Sequence, residues 1–173
     1  MERIAGDCGF LPETLRLDLG MRLDFEFVSK LRTSICPSAS ERSFLFGVLN
    51  AWPTTAILVR AQYALKVDQQ RQLSQATFAF REPPKQSLRA VEVSTNLAAL
   101  EAKHRIHKNM RVPENSVIHR VLQSQTADSA IEDLSWWTSS GRSLPSVRVL
   151  VSARLSRDGS VLALITRVNL ATE

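Results

Sequence analysis

Residues 147–170 read VRVLVSARLSRDGSVLALITRVNL, and this stretch decides the fold. Val147, Val149, Val151, Ala153 and Leu155 alternate with Arg148, Ser152 and Arg154, and a second alternating run follows Asp158-Gly159. Asp-Gly is a pair favoured in tight β-hairpins, because such turns take positive φ. The pattern predicts two antiparallel strands, with Val147–Leu155 burying its odd positions and exposing Arg148, Ser152 and Arg154.

Working outward, the odd positions from Met21 to Ile35 read Met21, Leu23, Phe25, Phe27, Ser29, Leu31, Thr33 and Ile35, against Arg22, Asp24, Glu26, Val28, Lys30 and Arg32. This predicts a long strand with one apolar and one charged face, ended at Cys36-Pro37. Ser38 and Glu41 have capping-box spacing, and Phe44, Leu45, Val48, Leu49 and Trp52 recur at helical spacing, so an amphipathic helix should lie on the sheet and stop at Pro53. Ile57, Val59, Ala61, Tyr63, Leu65 and Val67 opposite Arg60, Gln62 and Lys66 predict another half-buried strand. After the polar stretch Asp68 to Gln72, Leu73–Phe80 should pair back against it before Pro83-Pro84, with Leu88–Val93 a further short strand.

Between Asn96 and Trp137 the texture is helical. Asn96 can cap a short Ala/Leu/Glu helix, Pro113 fits a first turn, Val117, Ile118, Val121 and Leu122 share a face, and Ile131, Leu134 and Trp137 follow Asp128 at three-residue spacing. Thr138–Pro145 reads as a loop. The fold class expected is α+β: a mainly antiparallel sheet with short helices packed on one face and a C-terminal β-hairpin. A barrel-like or hot-dog arrangement around the Phe44–Trp52 helix is the alternative. Residues 1–20 are expected to be an N-terminal segment, flexible or docking on a neighbouring copy, ahead of one globular domain over 21–173.

With 173 residues and 44% hydrophobic content the chain can bury one good core. Its net charge of +5 comes from 17 Arg and five Lys, which favours anionic partners such as phosphate or acidic lipid headgroups. The excess is concentrated in residues 21–110, with 13 basic residues against seven acidic ones. Cys8 and Cys36 are too few for a disulfide scaffold and suit a reducing compartment. The sequence has no 18-residue apolar run and begins Met-Glu-Arg with Asp7 and Glu13 nearby, so neither a spanning helix nor a secretion signal is expected.

No catalytic signature stands out. There is no Gly-x-Ser-x-Gly elbow, glycine-rich phosphate loop or Walker pattern. His104 and His107 are three apart but lack companions to complete a metal set, and neither a metal nor a cofactor is expected. Lys103-His104-Arg105-Ile106-His107-Lys108 reads as a basic cluster able to contact phosphate or anionic lipid. Trp136 and Trp137 cannot share a helix face, so one indole should be free for a partner.

By order of elements, Leu23–Ile35, the turn and helix Ser38–Trp52, Ile57–Val67 and the hairpin Val147–Leu170 together resemble the globular core of rhabdovirus matrix proteins. The resemblance covers about two thirds of the chain, by pattern rather than by motif. It departs from the animal members in lacking a Lys-rich N-terminal arm, since residues 1–20 are slightly acidic, and in lacking Pro-Pro-x-Tyr or Pro-Thr-Ala-Pro, since Lys85-Gln86 follow Pro83-Pro84. A compact form of the kind expected in plant-infecting relatives accommodates both absences. The resemblance implies a non-enzymatic structural protein that self-associates, binds an anionic lipid surface and condenses the nucleoprotein-RNA complex. Its setting would be the virion and host intracellular membranes, cytoplasm or nucleus. The cations expected at the anionic surface are Arg22, Arg32, Arg60, Lys66, Arg81, Lys85, Arg89, Lys103, Arg105 and Lys108, and they should converge on one face. Two other functions fit the pattern: a hot-dog or barrel enzyme or ligand carrier with an apolar pocket behind Phe25, Phe27, Phe44 and Tyr63, and a nucleic-acid-binding module.

Overall fold

Strand β7, Val161–Arg167, is apolar on both faces, and the fold is arranged around that fact. Val161, Ala163 and Ile165 enter one core while Leu164 enters another, so the sheet must be covered on both sides. The computed structural model describes residues 22–74, 84–139 and 141–168, side chains of 72–74 excepted. Its strands are β1 (Ala56–Ala64), β2 (Ser87–Thr95), β3 (Asp128–Asp133), β4 (Thr138–Ser139), β5 (Arg142–Ser143), β6 (Arg148–Leu155) and β7. Its helices are α1 (Phe25–Ile35), α2 (Glu41–Ala51), α3 (Val67–Ser74), α4 (Leu97–Glu101) and α5 (Val117–Ser124), with one 3₁₀ turn at Leu134–Trp136.

The main sheet runs β2-β1-β7-β6-β3, every pair antiparallel, so the fold is the expected α+β class. Among the described residues it is an open sheet rather than a barrel, since β2 and β3 end it without pairing to each other. Helices α1 and α2 cover one face, where Leu23, Val28, Phe44, Leu45, Val48 and Leu49 pack on Ala56, Leu58 and Leu164. The other core brings Ala99 of α4 and Val117, Ile118 and Val121 of α5 against Ile57, Val59, Val149, Val151 and Ile165, together with Trp137. The expectation of one covered face is thus corrected to two.

The largest correction concerns residues 21–35, which were expected to form a strand. Phe25–Ile35 is a helix, started by Asp24, whose carboxylate accepts from Phe27 N–H at 2.8 Å, and supported by a Glu26–Lys30 pair at i,i+4. Leu23, Phe27, Leu31 and Ile35 are four apart and fit both periods; Val28, assigned to the charged face of a strand, is 3% exposed and settles the helical one. The first of the four elements behind the family resemblance is therefore a helix. Helix α2 is present, but its cap is Ser40, accepting from Ser43 N–H at 3.1 Å, rather than Ser38.

Strand β1 ends at Ala64, short of the expected Val67, because Val67 opens α3; Tyr63, expected on the buried face, is exposed within β1. Leu73 lies in α3; the remainder of the Leu73–Phe80 strand expectation, like the segment 1–20, falls outside the described residues. Flanking β1 instead are β2 and β7. Asn96 caps α4 as expected, and α5 starts at Ser116, three residues after Pro113. Residues 128–133 form edge strand β3 where a helix was expected, because they pair with β6 throughout and only Leu134–Trp136 turns. The loop 138–145 contains the small β4–β5 ladder. In the β6–β7 hairpin, Gly159 takes φ +78 and donates to Ser156 O at 3.0 Å while Ser156 N–H donates to Ser160 O at 2.7 Å, closing a three-residue loop, not a two-residue one.

Candidate anion-binding groove

Helix α2 presents Glu41, Arg42, Leu45 and Phe46 on one side, a charged rim above an apolar floor. That side forms one wall of a groove of about 730 Å³. Arg32 comes from α1, Leu58 and Arg60 from β1, Glu92 and Ser94 from β2, Arg154 and Leu155 from β6, Arg157 and Asp158 from the hairpin loop and Leu162 from β7. Five guanidiniums face three carboxylates there.

The charges are organised in two networks. Glu92 holds Arg42 at 2.7 Å and Arg60 at 3.0 Å, and Arg60 reaches Asp158 at 3.2 Å. The pairing follows from sheet register, since Arg60 and Glu92 are cross-strand partners at the bulge in β1–β2. On the far side Arg154 bonds Glu41 and stacks over Phe25, 4.4 Å from the ring centre. Asp158 is held far below its ordinary value of 3.8, to about 2, by the Ser160 hydroxyl, then by the Ser160 N–H, with Arg60 adding to the effect. Its negative charge is therefore permanent at neutral pH.

Some buried donors have no partner within these networks. Arg32 donates through Nη1 to Ala39 O at 3.0 Å, tying α1 to the α1–α2 loop, yet its buried Nε has no hydrogen-bond partner. The buried Nε of Arg154 has none either, and that of Arg60 lies 3.0 Å from Glu92 without hydrogen-bond alignment. Arg157 is exposed. Those Nε atoms are shielded from solvent, so what suits the groove to an anion is the surplus of guanidiniums over carboxylates above leucine and phenylalanine.

Of the ten cations expected on one face, Arg32 and Arg60 line this groove. Arg105 and Lys108 line a second cleft of about 420 Å³ along β2, which shares only Glu92 with the first. Arg22 sits at the opposite sheet edge, donating to Ser129 of β3 at 2.8 Å. Lys66 and Lys85 are exposed where β1 ends and β2 begins, and Lys103 follows α4 with φ +58. Arg89 is 7% exposed and donates to Asn109 O at 2.8 Å, so it is a buried structural cation beside Arg111. Arg81 lies outside the described residues. The single convergent face is thereby corrected to a groove holding two of the ten, joined by Arg42, Arg154 and Arg157, which sequence reasoning missed. The helical side of Glu41, Arg42, Leu45 and Phe46 was the one local signal.

Trp136 is 43% exposed and available to a partner, but Trp137 is 1% exposed and belongs to the core, which corrects its place among the contact residues. Phe25, Phe27, Phe44 and Tyr63 line neither cleft. His104 is buried, with Nδ1 3.4 Å from Thr55 Oγ1, whereas His107 is exposed in the second cleft. Among the described residues no group of His, Cys, Asp and Glu could hold a metal, and no helix is long and apolar enough to cross a membrane. The chain matches no protein-family model and no curated protein.

Proposed function

We propose that the protein acts by binding rather than by catalysis, and that its arginine groove holds the phosphate backbone of RNA in a ribonucleoprotein. One observation supports this above the others: five guanidiniums drawn from distant parts of the chain meet in one groove, two charges in excess of the carboxylates there. Guanidinium forks match phosphate oxygens in pairs, and Phe46 and the leucines give bases an apolar surface. The wider setting we assign is that of a matrix-type structural protein, self-associating, apposed to anionic membrane and condensing the nucleoprotein in the virion or infected cell. The scattered cations give a flat lipid contact less support than the groove gives an RNA contact.

Fluorescence anisotropy with labelled single-stranded RNA over a salt series tests this, alongside cosedimentation with anionic and neutral liposomes. The logarithm of affinity should fall with log salt by about 0.7 per phosphate contacted. Arg42→Glu and Arg157→Glu should each weaken binding about tenfold or more, since like charge in a binding groove costs well over 1 kcal/mol. Arg22→Glu, at the far edge, should leave it unchanged. Glu41→Gln should tighten binding by releasing Arg154. RNA binding indifferent to the three groove variants, or binding to anionic liposomes alone, overturns the reading.

A further inference from the structure

The arginine groove and the second cleft lie on opposite faces of one strand. Register sets Glu92 opposite Arg60 and Ser94 opposite Leu58, on the α1–α2 face, and Val93 opposite Val59 and Thr95 opposite Ile57, on the other. Glu92 and Ser94 accordingly line the groove, while Val93 and Thr95 line the cleft of about 420 Å³. β2 ends the sheet, and the segment 109–112 runs along only its start, with Val112 N–H donating to Leu88 O and Ala90 N–H to Met110 O, both at 2.9 Å. From Glu92 to Thr95 the strand pairs with β1 alone among the described residues. One strand's thickness therefore separates the two hollows, and both reach Glu92.

The far wall of the cleft is the basic run Arg105–Lys108. A turn holds it, with Met110 N–H donating to His107 O at 3.1 Å and Asn109 at φ +70, a conformation asparagine tolerates. Ile106 and Met110 anchor this wall in the core, which leaves Arg105, His107 and Lys108 exposed. Among the described residues Glu92 is the one carboxylate lining the cleft, and Arg42 and Arg60 already hold it. Arg105 and Lys108 thus face the cleft without a balancing acid in its lining. The exposed His107 ring offers a base a stacking surface, and Leu100, 45% exposed, adds an apolar one.

We infer, resting on the RNA reading of the groove, that one strand of RNA passes from the groove over the edge of β2 at residues 92–95 and into the cleft. There Arg105 and Lys108 take further phosphates and the His107 ring stacks on a base. Cations on both sides of an uncovered edge fit a ligand that carries charge at every nucleotide and can occupy the two hollows at once. The path changes faces within one strand's thickness, which an unpaired strand can follow and an A-form duplex cannot. The ligand is thereby narrowed to unpaired RNA long enough to fill both hollows.

Fluorescence anisotropy of the full chain with labelled oligouridylates of about 4 to about 16 nucleotides, the range single-stranded sites span, tests this. Affinity should step up about tenfold once the strand reaches the cleft, as one more stacked base contributes. The salt slope should steepen there by about 1.4, at about 0.7 for each of two added phosphates. Duplex RNA of the same lengths should show no step. Arg105→Glu with Lys108→Glu should remove the step. Arg22→Glu with Lys66→Glu, reversing as much charge at positions that line neither hollow, should keep it. All four positions are exposed, and circular dichroism checks that the fold is kept. A wild type without the step, a step that survives the cleft pair, or one that the control pair also removes overturns the path. So does a step shared by the duplex, or a cleft pair that loses anionic-liposome binding with the RNA step intact. In each of these cases short strands that bind and weaken with Arg42→Glu leave the groove reading standing, whereas no binding at any length overturns both.

Discussion

Asn96 uses every side-chain hydrogen-bonding site it has, at 2% exposure. Its Oδ1 accepts from Ala56 N–H at 3.1 Å and Ala99 N–H at 3.0 Å, and its Nδ2 donates to Trp52 O at 3.0 Å and Thr54 O at 2.7 Å. One residue thus ties the end of α2, the start of β1 and the start of α4 together. Asn96→Ala should cost about 3 kcal/mol, because buried backbone groups lose their partners, and Asn96→Asp should cost more, because an anion would face two carbonyl oxygens. Urea denaturation checks the order. Only the capping of α4 was legible in the sequence; the other three bonds join segments 40 to 44 residues apart. Glu132 is a second case. Burial raises its carboxyl above the ordinary 4.5, against the lowering by the Val117 N–H that donates to it at 2.5 Å. The native state therefore holds the proton more tightly than the unfolded chain, which favours folding below pH 4.5 and loses that advantage as pH rises through the raised value. Relative to Glu132→Gln, which cannot titrate, the wild type should be most stable in acid and lose ground toward neutrality, as denaturation at a series of pH values would record.

At the scale of elements, the hairpin and α1 show why some segments could be read and others not. In the hairpin the signal is local: Asp158-Gly159 must turn, and Gly159 takes φ +78 with nothing within 4 Å of an added Cβ. Gly159→Ala should therefore cost about 1–2 kcal/mol from backbone strain alone, with no steric part, and a thermal melt would show the lowered midpoint. Helix α1 was misread because Leu23, Phe27, Leu31 and Ile35 satisfy strand and helix periods alike, leaving the decision to Asp24 and Val28. Asp24→Ala should cost about 1 kcal/mol, the usual contribution of an N-cap. β3 was misread for the opposite reason. Its apolar residues Ile131, Leu134 and Trp137 look periodic but belong to a strand, a 3₁₀ turn and the residue after it, and only pairing with β6 reveals that.

For the whole molecule, what the sequence concealed was the second covered face and the groove beside it. Both depend on α1 and α2 settling over Ala56, Leu58 and Leu164, and the groove depends further on register placing Arg60 opposite Glu92. Alternation along β1 and β7 hands successive residues to the two cores: Ile57, Val59 and Ile165 to one, Ala56, Leu58 and Leu164 to the other. Neither core persists without those strands, so both layers should melt in one cooperative step. The tryptophans allow a direct check, since Trp52 sits 6.0 Å from Phe27 in the α1–α2 layer while Trp137 is fully buried in the other core. A variant with Trp136→Phe and Trp137→Phe reports the first layer, and one with Trp52→Phe and Trp136→Phe reports the second. Each variant's fluorescence in urea should share the midpoint and slope of its own circular dichroism. If Trp52 shifts before the sheet melts, the helical layer opens on its own, and the groove it walls becomes a site formed by docking rather than one built into the fold.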